Sequence, residues 1–256
     1  MSVLNVAAYL FVPIDDPASV ADWVRGVCAA QGVMGSVLVA REGINLFLAG
    51  AEGSVDEVLA TLRADPRFAA LTEKRSFSDA VPFRRLQVKV KPEIITFKQD
   101  VTPPTVARAP AVSPQTLAKW LDQGHDDDGR EVVLVDTRND EELVYGTFAG
   151  AVRLGIRVFT ALPEAIDAVA PRLQGKTVVT FCTGGIRCEK AAPYLSERGI
   201  ERVYQLDGGI LGYFERVGGA HYQGGCFVFD ERISLQPDLS PTPGAARLVT
   251  RASRSG

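Results

Sequence analysis

One stretch of this chain has the residue types and spacing that activate sulfur: Cys182-Thr183-Gly184-Gly185-Ile186-Arg187. Cys182, expected at the mouth of this loop, follows the apolar run Thr177–Phe181, and the loop leads into a helix-like segment, Arg187–Arg198. A thiol placed there lies close to the unpaired backbone N–H groups and positive dipole end of the helix. Both favour the charged form, so more thiolate is expected at neutral pH. Gly184 and Gly185 let the backbone curl until its amides converge on one point, an anion-binding nest. Arg187 is expected to add a permanent positive charge at the rim. Such a cradle suits a persulfide, or an anion bound beside the sulfur.

Rival chemistries fit less well. Cysteine-based phosphatases also use a Cys-to-Arg loop but need room for a tetrahedral phosphate, whereas Arg187 is only five positions after Cys182 and Phe181 stands where those enzymes commonly place a histidine. No metal is expected: Cys182 and Cys188 lack a usual zinc spacing, and both histidines, His125 and His221, are far away in sequence. Cys188 can be read two ways, as a resolving thiol for an oxidised or persulfidated Cys182 or as a small apolar residue packed inward. Cys226, in a β-like run, and Cys28, on an apolar helix face, read as core.

The elements that must position this loop alternate strand and helix. Ser113-Pro114 starts a helix carrying Leu117, Trp120 and Leu121, and Val132–Val135 is a buried-type strand ending at Asp136. Pro163–Leu173 reads as helix, Thr177–Phe181 as strand, Arg187–Arg198 as helix and Val203–Leu206 as strand. This pattern implies a parallel sheet covered on both faces, with ligands at the carboxyl ends of its strands, where Asp136 and Cys182 both fall. Asp136 and Arg138 are expected to brace that end of the sheet.

The first hundred residues have a different order. Val3–Val12 is strand-like, and Asp16 caps a helix with Pro17 at its first position. Gly35–Ala40 and Ile44–Leu48 flank a hairpin signal at Arg41-Glu42-Gly43. Ser54 and Glu57 have capping-box spacing, and Arg84–Phe97 closes the set as one or two strands. The order β-α-β-β-α-β is the ferredoxin-like arrangement. The expected organisation is therefore α/β plus α+β: a ferredoxin-like (acylphosphatase-like) domain over 1–99, a Pro-containing linker over 100–112, a second domain over 113–222, and a C-terminal segment over 223–256. Composition marks the segment from Leu235 onward as disordered. No internal repeat is visible.

The chain of 256 residues is 46% hydrophobic and 23% charged, ordinary values for a globular protein. No apolar run approaches the roughly 20 residues of a membrane span, and Val3–Ile14 lacks the basic flank of a signal peptide. Four cysteines make no disulfide framework, so a reducing cytoplasm is the expected compartment. A net charge of −3 gives no global pull toward nucleic acid. Charge is nonetheless uneven: Lys74–Lys98 holds Lys74, Arg75, Arg84, Arg85, Lys89, Lys91 and Lys98 against only Asp79 and Glu93.

The run Cys182-Thr183-Gly184-Gly185-Ile186-Arg187-Cys188-Glu189-Lys190 resembles that of bacterial tRNA uridine-34 hydroxylases, rhodanese-domain proteins that form 5-hydroxyuridine at the wobble position. Further similar stretches are Arg41–Asn45, Arg85–Lys91, Val135–Asp140, Gly146–Phe148, Leu206–Ile210 and Cys226–Asp230, so the resemblance covers roughly residues 3–233. It implies that the second domain is rhodanese-like and that the activity is an oxygen-dependent hydroxylation of tRNA. Molecular oxygen would be a co-substrate, with no bound metal or flavin, and Cys182 the active cysteine. It implies the tRNA anticodon loop as partner; no protein partner is expected. The alternative is a rhodanese-type sulfurtransferase working through a persulfide on Cys182. Under the resemblance the basic segment can be a tRNA-phosphate surface as well as a solvated face, with Arg84, Arg85, Lys89 and Lys91 as RNA contacts. Arg41 and Asn45, at the hairpin tip, become RNA or interdomain contacts. Family members often continue into a cysteine-rich C-terminal region; Leu235–Gly256 contains no cysteine, and Tyr222 stands where a Trp is common.

Overall fold

A computed structural model describes residues 2–245. The chain divides into two compact units, Met1–Thr96 and Phe97–Gly256. Among the described residues no helix is long and apolar enough to cross a membrane.

The first unit runs β1 (Val3–Phe11), α1 (Pro17–Ala30), β2 (Met34–Ala40), β3 (Gly43–Gly50), α2 (Glu52–Ala64), β4 (Thr72–Ser78) and β5 (Leu86–Val90), with sheet order β4-β1-β3-β2-β5. The first four strands in that order are the expected ferredoxin-like sheet. Alternate residues of β1 and β3 (Leu4, Val6 and Ala8; Ile44, Leu46 and Leu48) meet Val20, Val24 and Cys28 of α1 and Val55, Leu59 and Leu62 of α2 in one core. Asp16 caps α1 through bonds to the Ala18 and Ser19 N–H groups, with Pro17 in the first turn, as its sequence signals.

Three expectations for this unit are corrected. The strand that closes the ferredoxin-like set is Thr72–Ser78, not Arg84–Phe97, because its pairing with β1 runs from Val3↔Ser78 to Tyr9↔Thr72. Only Leu86–Val90 of the later segment is strand, an added edge parallel to β2. Helix α2 starts at Glu52 after Ala51, two residues before the Ser54 expected to cap it. Asn45 is not at the hairpin tip: it lies within β3 opposite Tyr9 and Leu38, and its side-chain amide donates to the Ile94 carbonyl at 3.2 Å.

The second unit carries a five-stranded parallel sheet. Its elements are β6 (Ala111–Val112), α3 (Pro114–Gln123), β7 (Val132–Asp136), α4 (Asp140–Leu143), β8 (Gly146–Phe148), β9 (Val152–Arg153), α5 (Leu162–Leu173), β10 (Thr177–Phe181), α6 (Cys188–Glu197), β11 (Arg202–Leu206), α7 (Gly209–Val217), β12 (Tyr222–Gly224), β13 (Cys226–Phe227) and β14 (Ser234–Leu235). The sheet order is β6-β11-β10-β7-β9. Val179 and Phe181 of β10 share a core with Leu117 and Trp120 of α3 and with Ile210, Tyr213 and Phe214 of α7. Thr180, on the opposite face of β10, meets Cys188 of α6, so helices cover both faces.

Part of the segment expected as linker packs on this unit. Thr102 donates to Glu197 through its backbone N–H and its hydroxyl, and Ala111–Val112 pairs with β11. The tail differs from expectation as well. Leu235 and Ala245 are buried, β14 pairs with β13, and the Thr242 N–H returns to the Ser234 carbonyl at 2.8 Å. Apolar anchors at Leu235, Leu239 and Ala245 hold a stretch whose prolines suggest disorder. The rest of the expected disordered tail, 246–256, lies outside the described residues.

Candidate active site

Cys182 stands at the carboxyl end of the central strand β10. All five residues of that strand are buried, so its end is fixed in the molecule. The neighbouring β7 ends in register with it, pairing Asp136 with Phe181. Thr137 then crosses over: its N–H and its hydroxyl both donate to the Phe181 carbonyl at 3.0 Å. Asp136 and Arg138 form a fully buried ion pair, and Asp136 also accepts from the Thr147 hydroxyl at 2.7 Å. The same guanidinium donates to the Gly146 carbonyl at 2.8 Å and lies over the Phe181 ring.

After Cys182 the backbone curls back on the sulfur. Gly185, with φ +103°, directs its N–H at Cys182 Sγ at 3.1 Å. That φ is in the region that favours glycine. Gly184 has open space where a Cβ would sit, and Gly184 and Ile186 are the partly exposed positions of the loop. The carbonyls of Cys182 and Thr183 accept the N–H groups of Ile210 and Leu211 at 2.9 and 3.0 Å. The start of α7 therefore holds the outer side of the loop. Gly209 makes that approach feasible: at φ +62°, a Cβ there would lie 2.5 Å from the Cys182 carbonyl oxygen and 2.7 Å from the Gly185 nitrogen.

The electrostatics separate Cys182 from the other thiols. Burial opposes a charged sulfur at Cys182, but a hydrogen bond from the Cys188 thiol, the Arg187 charge and the N–H groups of Arg187 and Gly185 outweigh it. Its pKa is held below the ordinary thiol range. Burial drives the other three the opposite way: Cys28 is pushed up to about 11, Cys226 to about 12, and Cys188 well above the usual value by burial and by its bond to Cys182. Cys188 is packed inward at the start of α6, with Thr137 Oγ1 at 3.8 Å from its sulfur.

Two features of the loop differ from the sequence reading. Cys182 has no exposed surface and so is beneath the mouth rather than at it. Arg187 is also not a rim cation: it is 4% exposed, and its two terminal nitrogens grip the Glu142 carboxylate, one of them at 2.7 Å. A guanidinium drawn this far inward needs a buried anion, and Glu142 supplies it.

Glu142 and Gly209 escape the sequence reading. The spacing Asn139-Asp140-Glu141-Glu142 carries a capping signal for Glu142, and Glu142 Oε1 does accept the Asn139 N–H at 3.0 Å. Gly208-Gly209 ahead of an apolar stretch is the corresponding cue for a tight approach. The candidate RNA contacts lie on the first unit. Arg41 occupies the exposed β2–β3 turn, and Arg84, Arg85, Lys89 and Lys91 are exposed on or beside β5. The basic run Lys74–Lys98 is not one surface. Lys74 and Arg75 belong to β4 and Lys89 to β5, at opposite edges of the sheet and separated by four strand spacings, about 19 Å. Arg75 is moreover paired with Asp56 and Glu73.

A parallel sheet with an anion-stabilising cysteine loop at the end of its central strand defines a rhodanese-like domain. Residues 113–216 match the Rhodanese-like domain, and residues 3–94 match the UPF0176 acylphosphatase like domain. The chain is 54% identical over 241 residues to the tRNA uridine(34) hydroxylase of Cupriavidus taiwanensis, covering 94% of this chain and 86% of that one. Against the protein of the same name from Bordetella petrii it is 55% identical, covering 97% and 99%. For that of Xanthomonas euvesicatoria the values are 54%, 96% and 99%. The chain belongs to the tRNA uridine(34) hydroxylase family.

Proposed function

We propose that this protein hydroxylates uridine 34 of tRNA at C5, with molecular oxygen as co-substrate and Cys182 as the reactive group. The observation that carries the reading is the coincidence of two features. The chain is more than half identical, over nearly its full length, to proteins named for this reaction, and Cys182 is its one thiol biased toward the anion.

The reaction replaces the C5–H bond with C5–OH. Of the two oxygen atoms in O2 one enters uridine and the other leaves as water, so each turnover consumes two electrons and two protons from a reductant of the thiol or reduced-dinucleotide class. Within this scheme the protein's own groups hold negative charge at one point. The Gly185 and Arg187 N–H groups and the Arg187 guanidinium stabilise an anionic sulfur, and the Cys188 thiol donates to it. That role for Cys188 fits its protonated state better than a resolving role does. The wobble base is unstacked in an anticodon loop, which suits it to be splayed out toward a protein site. Arg41, Arg84, Arg85, Lys89 and Lys91 would contact the tRNA backbone, and the free thiols fit the reducing cytoplasm in which tRNA works.

A persulfide on Cys182 is the second reading, favoured by the sulfur-sized nest of the loop. One experiment tests the first reading. Purified protein is incubated with unmodified tRNA, a thiol reductant and ¹⁸O2, and the nucleosides are analysed by mass spectrometry. The reading predicts ¹⁸O in 5-hydroxyuridine at position 34. Oxygen drawn from water, or sulfur transfer to a thiophilic acceptor with no tRNA product, would overturn it.

A further inference from the structure

Glu142 is fully buried, and four donors address its carboxylate: both terminal nitrogens of Arg187, the Asn139 N–H at 3.0 Å and the Thr183 hydroxyl at 3.4 Å. The Thr183 hydroxyl also reaches the Phe227 carbonyl at 3.2 Å. One carboxylate thus joins α4, the cysteine loop and, through Thr183, strand β13. Burying an ionised pair carries a desolvation cost of several kcal/mol per ion, by order of magnitude, and a hydrophobic pair would fill the same space without it. Stability alone therefore does not account for a charged pair at this position.

We propose that Glu142 is a positioning residue of the reaction: it fixes the Arg187 guanidinium beside Cys182 and cancels part of its charge, so that the anion site is a three-group array, carboxylate, guanidinium and sulfur. This rests on the reading of Cys182 as the reactive group. The cancellation has a chemical consequence. A fully exposed positive charge would hold the sulfur as a very stable, weakly nucleophilic thiolate, since nucleophilicity falls with thiol pKa. Sharing the guanidinium with Glu142 leaves the sulfur anionic but more reactive.

The other charged and titratable groups around the array have settled states. From the end of β7, Asp136 and Arg138 neutralise each other. From α6, Cys188 stays a protonated donor, and from β13, burial keeps Cys226 protonated. Arg187 is then the charge that Cys182 feels, and Glu142 the anion paired with Arg187.

The test titrates the thiolate absorbance of the full-length protein, taken as the difference from the C182S variant, in wild type, E142Q, E142D, R187Q and E142Q/R187Q. Thermal melts run alongside. In E142Q the guanidinium is no longer shared, so the Cys182 midpoint falls and the thiolate:thiol ratio at fixed pH rises about tenfold. E142D keeps the charge and stays near wild type. In the R187Q background the Glu142 substitution has little effect, because Glu142 acts through Arg187. If E142Q alone does not fold, a tenfold difference between R187Q and E142Q/R187Q, the double variant having lost both buried charges, still overturns the proposal. An unchanged midpoint in folded E142Q, or a tenfold effect of E142Q persisting without Arg187, would overturn the proposal. The titration reads the thiol itself, so it stands or falls separately from the hydroxylase reading, which is judged by the nucleoside product.

Discussion

The backbone N–H of Ile210 donates to the carbonyl oxygen of Cys182 at 2.9 Å, so the first turn of α7 holds the cysteine loop by its backbone. The loop is therefore pinned from three sides: by β10 behind it, by α7 outside it and by the Glu142–Arg187 pair beneath it.

The α7 contact makes Gly209 critical and Gly184 tolerant. In Gly209→Ala the new Cβ meets backbone at 2.5 and 2.7 Å at a left-handed φ, whereas at Gly184 it enters open space. Left-handed strain for alanine costs about 1–2 kcal/mol before the clash is counted. G209A should lose at least about 2 kcal/mol, a drop in Tm of roughly 4–8 °C. G184A should stay within about 0.5 kcal/mol of wild type. Calorimetry of the two variants checks this, and equal losses would contradict the packing described.

The lowered pKa of Cys182 links stability to pH with a definite sign. A group held below its unfolded value contributes stability above the unfolded pKa, about 8.5 for a thiol, and loses it as pH falls through the folded value. Cys28, Cys188 and Cys226 are raised and act in the opposite sense, so wild type must be compared with C182S to isolate the term. The Tm difference, wild type minus C182S, should grow as pH rises toward 9 and shrink toward pH 5. A difference that is flat or falls with pH would show that the folded protein does not favour the thiolate.

The Asp136–Arg138 pair is fully buried, so removing one partner strands a charge. Asp136→Asn is expected to cost about 3–5 kcal/mol. Chemical denaturation measures it, with loss below about 1 kcal/mol as the contrary result. The β10 end rests on this brace through Phe181.

The two edges of the first sheet should behave differently toward RNA. Replacing Arg85, Lys89 and Lys91 together with alanine should weaken tRNA binding and flatten its salt dependence by about 0.7 log units per lost phosphate contact. Arg75→Ala should leave that slope unchanged, because Arg75 is already committed to Asp56 and Glu73. Fluorescence binding at several salt concentrations distinguishes the edges.

Much of this was legible in the residue order, for identifiable reasons. Local signals were strong: the Asp16-Pro17 cap, the Ser113-Pro114 start and the apolar run Thr177–Phe181 each depend on neighbours in sequence. The cysteine loop was legible because its chemistry is compressed into six consecutive residues. What sequence concealed is long-range. Thr72–Ser78 has the charged, half-exposed composition of an edge strand, and only its pairing with β1 makes it one. The inward turn of Arg187 depends on Glu142, 45 residues earlier in the chain, and the burial of Asn45 on the return of Ile94. The basic run looked continuous because sequence distance hides the sheet order that splits it.

Whether Cys182 carries a tRNA hydroxylation is read by nucleoside mass spectrometry of tRNA from a deletion strain without a parallel route to the same product. 5-Hydroxyuridine derivatives should disappear on deletion, return with the wild-type gene and stay absent with Cys182→Ser. Unchanged derivatives in the deletion strain, or full restoration by Cys182→Ser, would contradict that role of Cys182.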